Sequence, residues 1–176
     1  MDRRRAPAER LIGGGASPGD SGRSRAAPPG GTGPGRRLLR DTARVMSQEN
    51  VEIVRRWWAS LEAGELPFDL TDENVRIDNI ERQVVEGTFH GHDGLRRWWQ
   101  DFTESLADIH HEVLDSTALD AHRVLTEIRS QGHFRETDLP IDLRWASIFS
   151  VRNGKVVHAA GYLSAREALE AAGLSE

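Results

Sequence analysis

Two stretches of the chain carry apolar side chains at helical spacing. The first follows Ser47, a residue type that favours the N-cap position, and stops at Gly64, which predicts a helix over about 47–63. Its apolar positions are Val51, Val54, Trp57, Trp58 and Leu61. The second stretch follows a turn at 91–94 and predicts a strong amphipathic helix. Its apolar stripe consists of Leu95, Trp98, Trp99, Phe102 and Leu106.

Alternation of apolar and polar residues replaces this spacing in the second half of the chain. It predicts four strands, over 110–118, 123–132, 141–152 and 156–163, and a short earlier strand over 74–80. Asn153-Gly154 is a strong hairpin signal between the last two strands. A short helix is predicted at 67–70, and the capping box from Ser164 to Glu167 predicts a final helix that ends at Gly173.

This order of elements predicts an α+β fold, because helices come first and a run of antiparallel strands follows. We expect the helices to pack in a strongly curved, mostly antiparallel sheet. Helices and sheet together would form a cone-shaped α+β barrel. A curved sheet around helices leaves room for a pocket between them.

Charge and composition divide the chain into two parts. Residues 1–45 contain 10 Arg and 4 acidic residues (+6), whereas 46–176 contain 13 Lys and Arg and 24 acidic residues (−11), which together give the net charge of −5. The first part is rich in Gly, Pro and Arg and predicts a disordered extension. We expect 46–176 to form one domain and Met46 to be the natural start, which N-terminal mass spectrometry of the native protein would test.

Several classes of protein and site are not expected from this composition. The chain has no Cys, so a disulfide framework and a thiolate metal site are excluded. His110 and His111 point to opposite faces of a predicted strand, and we expect no metal and no cofactor. No apolar run could span a bilayer, and no secretory signal is apparent, so we expect a cytoplasmic protein with no membrane and no nucleic-acid partner.

Five segments in order resemble the SnoaL-like domains of the nuclear transport factor 2-like superfamily. They cover nearly all of 46–176 and are Met46-Ser-Gln-Glu-Asn-Val-Glu-Ile-Val-Arg-Arg, Ala63-Gly-Glu, Gly91-His-Asp-Gly-Leu-Arg-Arg, Arg152-Asn-Gly-Lys-Val-Val and Ala165-Arg-Glu-Ala-Leu-Glu-Ala-Ala-Gly-Leu. The resemblance implies a homodimer formed through the sheet and an apolar pocket for a small apolar molecule. It leaves two functions open: cofactor-independent acid–base catalysis of the isomerase, cyclase or dehydratase type on a carbonyl compound, or ligand binding or dimerisation without chemistry.

The resemblance implies a set of candidate catalytic residues around Asp78. Asp78 matches the general base of ketosteroid isomerases, and Arg144, Tyr162 or His158 would polarise the substrate. The alternatives are a surface or ion-paired Asp78, a structural ion pair of Arg144 with Asp78 or Glu127, and a packed Tyr162. Catalysis is favoured if Asp78 lines a closed cavity with a raised pKa, and disfavoured if it forms a salt bridge outside that cavity.

Other positions depart from the catalytic patterns of the superfamily. Trp57 and Ala146 occupy the positions of the isomerase oxyanion hole, and Ala cannot donate a hydrogen bond, so true ketosteroid isomerase activity is not expected. Gly161 stands where the epoxide-hydrolase-like members carry an Asp, which argues against that activity as well.

The predicted pocket lining depends on which face of the strand 141–152 points inward. The residue pattern favours the bulky face of Leu143, Trp145 and Phe149 as the core, whereas the resemblance turns Arg144, Ala146 and Ile148 inward. Both hold if a dimer buries the bulky face. With the second orientation, the ligand-binding residues are Trp57, Trp58, Trp98, Phe102, Ala146, Ile148, Ala159 and Gly161.

Overall fold

The computed structural model describes residues 34–79 and 84–174, which form three helices and six strands. In chain order, the elements are α1 (Pro34–Glu62), a 3-10 turn (Phe68–Leu70), β1 (Thr71–Asn79), β2 (Gly87–His90), α2 (Gly91–Ser105), β3 (Leu106–Ala118), β4 (Arg123–Phe134), β5 (Pro140–Arg152), β6 (Lys155–Tyr162) and α3 (Ala165–Ala171). The predicted α+β fold class is confirmed.

The six strands form one mixed sheet in the order β2-β1-β6-β5-β4-β3. Strands β3 to β6 are antiparallel neighbours, joined as the alternating pattern predicts. The exception is β1, which pairs in parallel with β6 and antiparallel with β2. The sheet is therefore mostly antiparallel, and the first and last strands in chain order, β1 and β6, are neighbours inside it.

The two faces of the sheet carry different hydrophobic clusters. The inner face packs against α1 and α2, and its main cluster includes Trp57, Trp98, Ile128 and Phe149. The outer face is covered in part by α3 and carries a smaller cluster of Leu125, Ala146, Ile148 and Ala168. Each strand contributes alternate residues to the two faces because successive side chains point in opposite directions.

Helix α1 ends close to the predicted position but begins much earlier. It starts at Pro34, so the predicted start at Ser47 is wrong and residues 34–45 are helical. Ser47 lies inside α1 and not at its N-cap, and its hydroxyl donates to the carbonyl of Asp120 at 3.3 Å. The remainder of the predicted extension, residues 1–33, lies outside the described residues.

The N-cap hydrogen bond of the predicted capping box is present at the last helix. The Ser164 hydroxyl accepts a hydrogen bond from the Glu167 backbone N–H at 3.2 Å, and α3 begins at Ala165. The last strand, β6, is therefore followed closely by a short helix, α3, which packs over Ala146 and Ile148.

Gly132 shows why β4 can pair with the irregular start of β3. The register shifts between Ala107 and His110, and a Cβ atom at Gly132 would lie 2.8 Å from the Ala107 carbonyl oxygen. Only glycine lets the two backbones approach this closely. Beyond this irregular start, His111 is opposite Ser130 on the same two strands.

Candidate functional site

A cavity of about 120 Å³ lies between α2 and the inner face of the sheet. Its walls are mainly apolar, and we call it the inner cavity. The described residues that line it are Asn79, Val84, Val85, Trp98, Phe102, Leu106, Ser130, Ile141, Leu143, Arg144, Trp145 and Leu163. Leu143 is 44% exposed, which places the opening of the cavity at this part of β5.

Three polar residues border the inner cavity. Asn79 lies at the end of β1, where its amide nitrogen donates to the Val85 carbonyl at 2.7 Å. Ser130 lies on the inner face of β4 and is 2% exposed. Arg144 borders the same cavity through β5, but its exposed side chain has the outer-face parity of Ala146 and Ile148.

Trp98 brings an unusual donor to this wall. It is 4% exposed, and its Nε1–H has no hydrogen-bond acceptor among residues 34–79 and 84–174. A buried N–H without a partner costs about 1–3 kcal/mol. An acceptor atom of a bound molecule would remove that cost.

Ser130 belongs to a buried hydrogen-bond network. Its Oγ lies 2.8 Å from His111 Nδ1 and accepts a hydrogen bond from Trp145 Nε1 at 2.8 Å. His111 is 7% exposed and packs among aromatic rings, with its ring centroid 5.5 Å from Trp58 and 5.3 Å from Phe102.

Burial has a large effect on the ionisation of His111. It lowers the pKa of His111 to about 4, because the charged imidazolium loses its hydration. The negative charge of Glu62 opposes this shift, and the neighbouring His110 adds to it. His111 is therefore neutral at pH 7, with one ring nitrogen free to accept a proton.

A smaller cavity of about 10 Å³ adjoins the inner cavity and shares Asn79, Trp98 and Trp145 with it. Four of the predicted ligand-binding residues line this smaller space: Trp57, Trp58, Ala159 and Gly161. A space of this size is close to the minimum that holds one water molecule. These four residues therefore surround the inner cavity rather than forming its main wall.

Comparisons with known proteins identify the family. A model of the SnoaL-like domain family matches residues 54–159. The chain belongs to this family. No match was found among curated proteins.

Solved structures similar to this SnoaL-like protein have the same fold at low sequence identity. A putative SnoaL-like polyketide cyclase from Jannaschia sp. is 16% identical with a TM-score of 0.56, and the match covers 73% of this chain and 94% of that one. A Catenulispora acidiphila protein with a ketosteroid isomerase-like fold, in complex with trimethylamine, is 18% identical with a TM-score of 0.55, at 70% and 93% coverage. A Burkholderia thailandensis protein described as NTF2-like is 17% identical with a TM-score of 0.60, at 64% and 88% coverage.

Asp78 does not lie in the inner cavity of this SnoaL-like protein. Val75 and Ile77 occupy the inner face of β1, so Asp78 points to the outer face. There its carboxylate accepts hydrogen bonds from Thr88 at 2.7 Å, Arg76 Nε at 2.9 Å and His158 Nε2 at 2.8 Å. We call Arg76, Asp78, Thr88 and His158 the outer-face cluster.

The ionisation of Asp78 also differs from that of a general base poised near neutral pH. Partial burial alone would raise its pKa, but the hydrogen bonds from Thr88, His158 and Arg76 and the charge of Arg76 outweigh this effect and lower the pKa below its usual value. Asp78 therefore forms an ion pair outside the cavity, which is the arrangement that argues against a catalytic role. This is the ion-paired alternative for Asp78, and the carboxylate does not line the inner cavity.

His158 and Tyr162 share the outer face with Asp78. His158 pairs with Asp78. Tyr162 packs against the smaller hydrophobic cluster beneath α3, which includes Ala146 and Ile148. Partial burial raises the pKa of Tyr162, and the negative charge of Asp78 adds to this effect. Neither side chain lines the inner cavity, so the structure does not bring them to the site where they were expected to polarise a substrate.

The orientation of β5 follows the residue pattern rather than the resemblance. Trp145 and Phe149 pack with the inner-face cluster, whereas Ala146 and Ile148 lie beneath α3 on the outer face. Ala146 and Ile148 therefore do not line the inner cavity, and their expected inward orientation is wrong. A dimer is not needed to bury the bulky face, because α1 and α2 already cover it.

Trp57 cannot serve as a free donor in the manner considered for an oxyanion hole. Its Nε1–H donates to the Thr71 hydroxyl at 3.0 Å, and that hydroxyl donates to the Pro67 carbonyl at 2.6 Å. Trp98 and Phe102 are the two predicted ligand-binding residues that line the inner cavity. The sequence analysis missed Asn79 and Ser130, although their parity with Ile77 and Ile128 was a usable signal.

The described residues, 34–79 and 84–174, contain no group of three or more His, Asp or Glu side chains arranged to hold a metal ion. Within the same residues, no helix has the length and apolar character needed to cross a membrane.

Proposed function

We propose that this SnoaL-like protein binds a small, mostly apolar molecule that carries a hydrogen-bond-accepting oxygen, and that it binds this molecule in the inner cavity. The observation that carries this proposal is the buried Nε1–H of Trp98, which has no acceptor among the described residues. A carbonyl or phenolic oxygen in the cavity would accept this hydrogen bond. The surrounding apolar wall would bind the rest of the molecule.

The size of the cavity limits the ligand. A volume of about 120 Å³ is close to that of an engineered apolar cavity, about 150 Å³, that accommodates benzene. A single ring therefore fits inside, whereas a fused four-ring skeleton would extend through the opening. Arg144 borders the cavity through β5, but its side chain shares the outer-face parity of Ala146 and Ile148, so it is not part of the proposed ligand contacts.

Ligand binding is the function that these contacts support best. Acid–base catalysis on a carbonyl compound, of the isomerase, cyclase or dehydratase type, requires a proton-transferring group beside the ligand. Asp78 is on the opposite face of the sheet, so catalysis through Asp78 is not part of this proposal. The relatives' polyketide cyclase and ketosteroid isomerase names support the fold and a cavity for a cyclic molecule, and no more than that.

The test compares three probes of similar size by isothermal titration calorimetry. Phenol and cyclohexanone carry an acceptor oxygen, and toluene does not. We expect Trp98→Phe to weaken phenol and cyclohexanone binding about fivefold, since one hydrogen bond contributes about 1 kcal/mol. Toluene binding should change little, because Phe preserves most of the apolar wall.

Trp99→Phe is the matched control. Trp99 neighbours Trp98 on α2 but stacks on Phe102 instead of lining the inner cavity, with ring centroids 6.2 Å apart. Binding of all three probes should remain at the wild-type level in this variant. Equal loss of phenol and toluene binding in Trp98→Phe would contradict the hydrogen-bond assignment, and no binding of any probe to wild type would contradict the proposed function.

The homodimer through the sheet remains a prediction. The outer face carries the outer-face cluster beside the part covered by α3, so a partner would meet a polar surface there. Analytical ultracentrifugation of the full chain tests it, and a monomer at high micromolar concentration would contradict it.

A further inference from the structure

The hydrogen-bond network behind the inner cavity contains a serine and a histidine in direct contact. Ser130 Oγ lies 2.8 Å from His111 Nδ1, and Ser130 also lines the inner cavity. A hydroxyl and a neutral imidazole at this distance form the basic unit of nucleophilic catalysis. The pair comes from adjacent strands, where His111 on β3 is directly opposite Ser130 on β4.

The partners of Ser130 define two arrangements of its proton. Trp145 Nε1–H can only donate, so the Ser130 oxygen accepts that hydrogen bond. If the Ser130 hydroxyl donates to His111 Nδ1, the imidazole carries its proton on Nε2, which is buried with no partner among the described residues. With a proton on Nδ1 instead, the Ser130 hydroxyl proton has no acceptor among the same residues. Each arrangement leaves one donor unpaired, and the first is the one in which the serine donates towards a neutral histidine.

The surroundings fix His111 beside Ser130 in its neutral form, and the same burial makes it a weaker base than a solvated imidazole. Burial keeps the imidazole neutral at pH 7, and rings of Trp58, Trp99 and Phe102 pack around it. The His111 backbone N–H donates to Glu62 at 2.7 Å, which anchors the strand at this residue. The imidazole is thus fixed beside the serine by packing and by its own backbone.

We propose that Ser130 is a nucleophile that accepts the acyl group of a small ester in the inner cavity, with His111 as its base. Ser130 Oγ forms a bond to the acyl carbon while its proton passes to His111 Nδ1. The bond from the acyl carbon to the alcohol oxygen then breaks, and the alcohol leaves with the proton from His111. Water then attacks the acyl-serine while its proton passes to His111 Nδ1, and His111 returns that proton to Ser130 Oγ as the acyl–oxygen bond breaks. This step releases a carboxylic acid and restores the Ser130 hydroxyl.

Trp98 supplies the remaining element of the step. Attack on the ester places negative charge on the former carbonyl oxygen, which requires a donor that is not already occupied. Trp98 lines the same cavity, and its Nε1–H is unpartnered among the described residues. This inference rests on the proposed function only in that the cavity must admit a small molecule; it adds a reaction and a substrate class.

The test uses p-nitrophenyl acetate, whose acetyl group is small enough for the inner cavity and whose leaving group is coloured. We expect release of p-nitrophenolate and an acetyl adduct that peptide mass mapping places on Ser130. Ser130→Ala should lose the adduct, and Ser130→Cys should regain one at the same position. His111→Asn should acylate at least tenfold more slowly than wild type.

Ser147→Ala is the control. Ser147 is also buried on the inner face, but its hydroxyl donates to the Ala160 carbonyl at 3.2 Å and has no histidine partner. The Ser147→Ala variant should be acylated on Ser130 at the wild-type rate. Circular dichroism confirms that each variant is folded, and the wild-type mapping decides the question even if Ser130→Ala does not fold.

The outcomes separate this inference from the proposed function. Wild-type protein that binds phenol but shows no acetyl group on Ser130 overturns the nucleophile and leaves the ligand cavity intact. An adduct on Ser130 that forms at the wild-type rate in His111→Asn overturns the role of His111. Protein that neither binds phenol nor is acylated overturns both.

Discussion

Acidification should destabilise this SnoaL-like protein through His111. The imidazole is buried among aromatic rings, and its pKa falls from 6.5 to about 4 when the chain folds. Between these two values, the unfolded chain binds a proton at this residue and the folded chain does not. Stability is therefore unaffected by His111 above about pH 6.5 and decreases as the pH falls towards 4.

The size of the effect follows from the shift. One pKa unit corresponds to 1.36 kcal/mol, so a change from 6.5 to about 4 removes about 3 kcal/mol of unfolding free energy. This is a large share of the roughly 5–15 kcal/mol that stabilises a typical domain. The unfolding midpoint in urea should decrease steeply over the same pH range.

The assay is urea unfolding at several pH values between 7 and 4, followed by tryptophan fluorescence. Other groups titrate in this range, so wild type is compared with His111→Asn, which keeps a polar side chain but cannot titrate. The variant should be less stable at pH 7 and should lose about 3 kcal/mol less than wild type on acidification. Parallel pH profiles for the two proteins would refute the assignment of the effect to His111.

Three further predictions concern residues whose roles the structure defines. Asp78→Asn should leave phenol binding unchanged in calorimetry. It should lower the unfolding free energy by about 1–3 kcal/mol, because the hydrogen bonds to the charged carboxylate on the outer face are weakened. Loss of phenol binding in a stably folded variant would contradict the placement of Asp78 outside the cavity. Thr71→Val should cost about 1–3 kcal/mol in urea unfolding, since it leaves a buried indole N–H unpaired. Gly132→Ala should lower the melting temperature, because its Cβ would lie 2.8 Å from the Ala107 carbonyl oxygen, and an unchanged melting temperature would argue against this close approach.

Most of the fold could be predicted from the spacing of apolar residues. The alternation in 141–152 and the hairpin at Asn153-Gly154 correspond to β5 and β6, and the apolar stripe from Leu95 corresponds to α2. Strand β2 was missed because four residues are too few to show a period. The early start of α1 was missed because Ser47 resembles a cap but forms its hydrogen bond with Asp120.

The candidate site was harder to predict because it depends on strand orientation. Asp78 and Asn79 are adjacent, so a displacement of one residue exchanges the inner-face side chain for the outer-face one. The alternation of Val75 and Ile77 assigned this orientation correctly, whereas the match to ketosteroid isomerases selected Asp78. The bulky residues of β5 likewise identified the inner face, against the family match.

The contact of His111 with Ser130 could not be derived from spacing at all. It depends on the exact register of β3 and β4, which contains shifts between Ala107 and His110 and between Val113 and Asp115. Each shift changes which residues are opposite one another. The sequence indicates that the two strands pair, but the partner of Ser130 emerges only from the folded backbone.

The parallel pairing of β1 with β6 has a consequence for how the protein is made. Asp78 lies opposite Ala160, so two neighbouring strands of the sheet are the first and the last strand in chain order. During synthesis, β1 and β2 cannot pair with the rest of the sheet until β6 has left the ribosome, because β6 is the strand that joins them to it. Such distant contacts slow folding, because the intervening chain must close into a loop first. A chain truncated just before Lys155 would therefore lose not only its last strand but also the attachment of its first two.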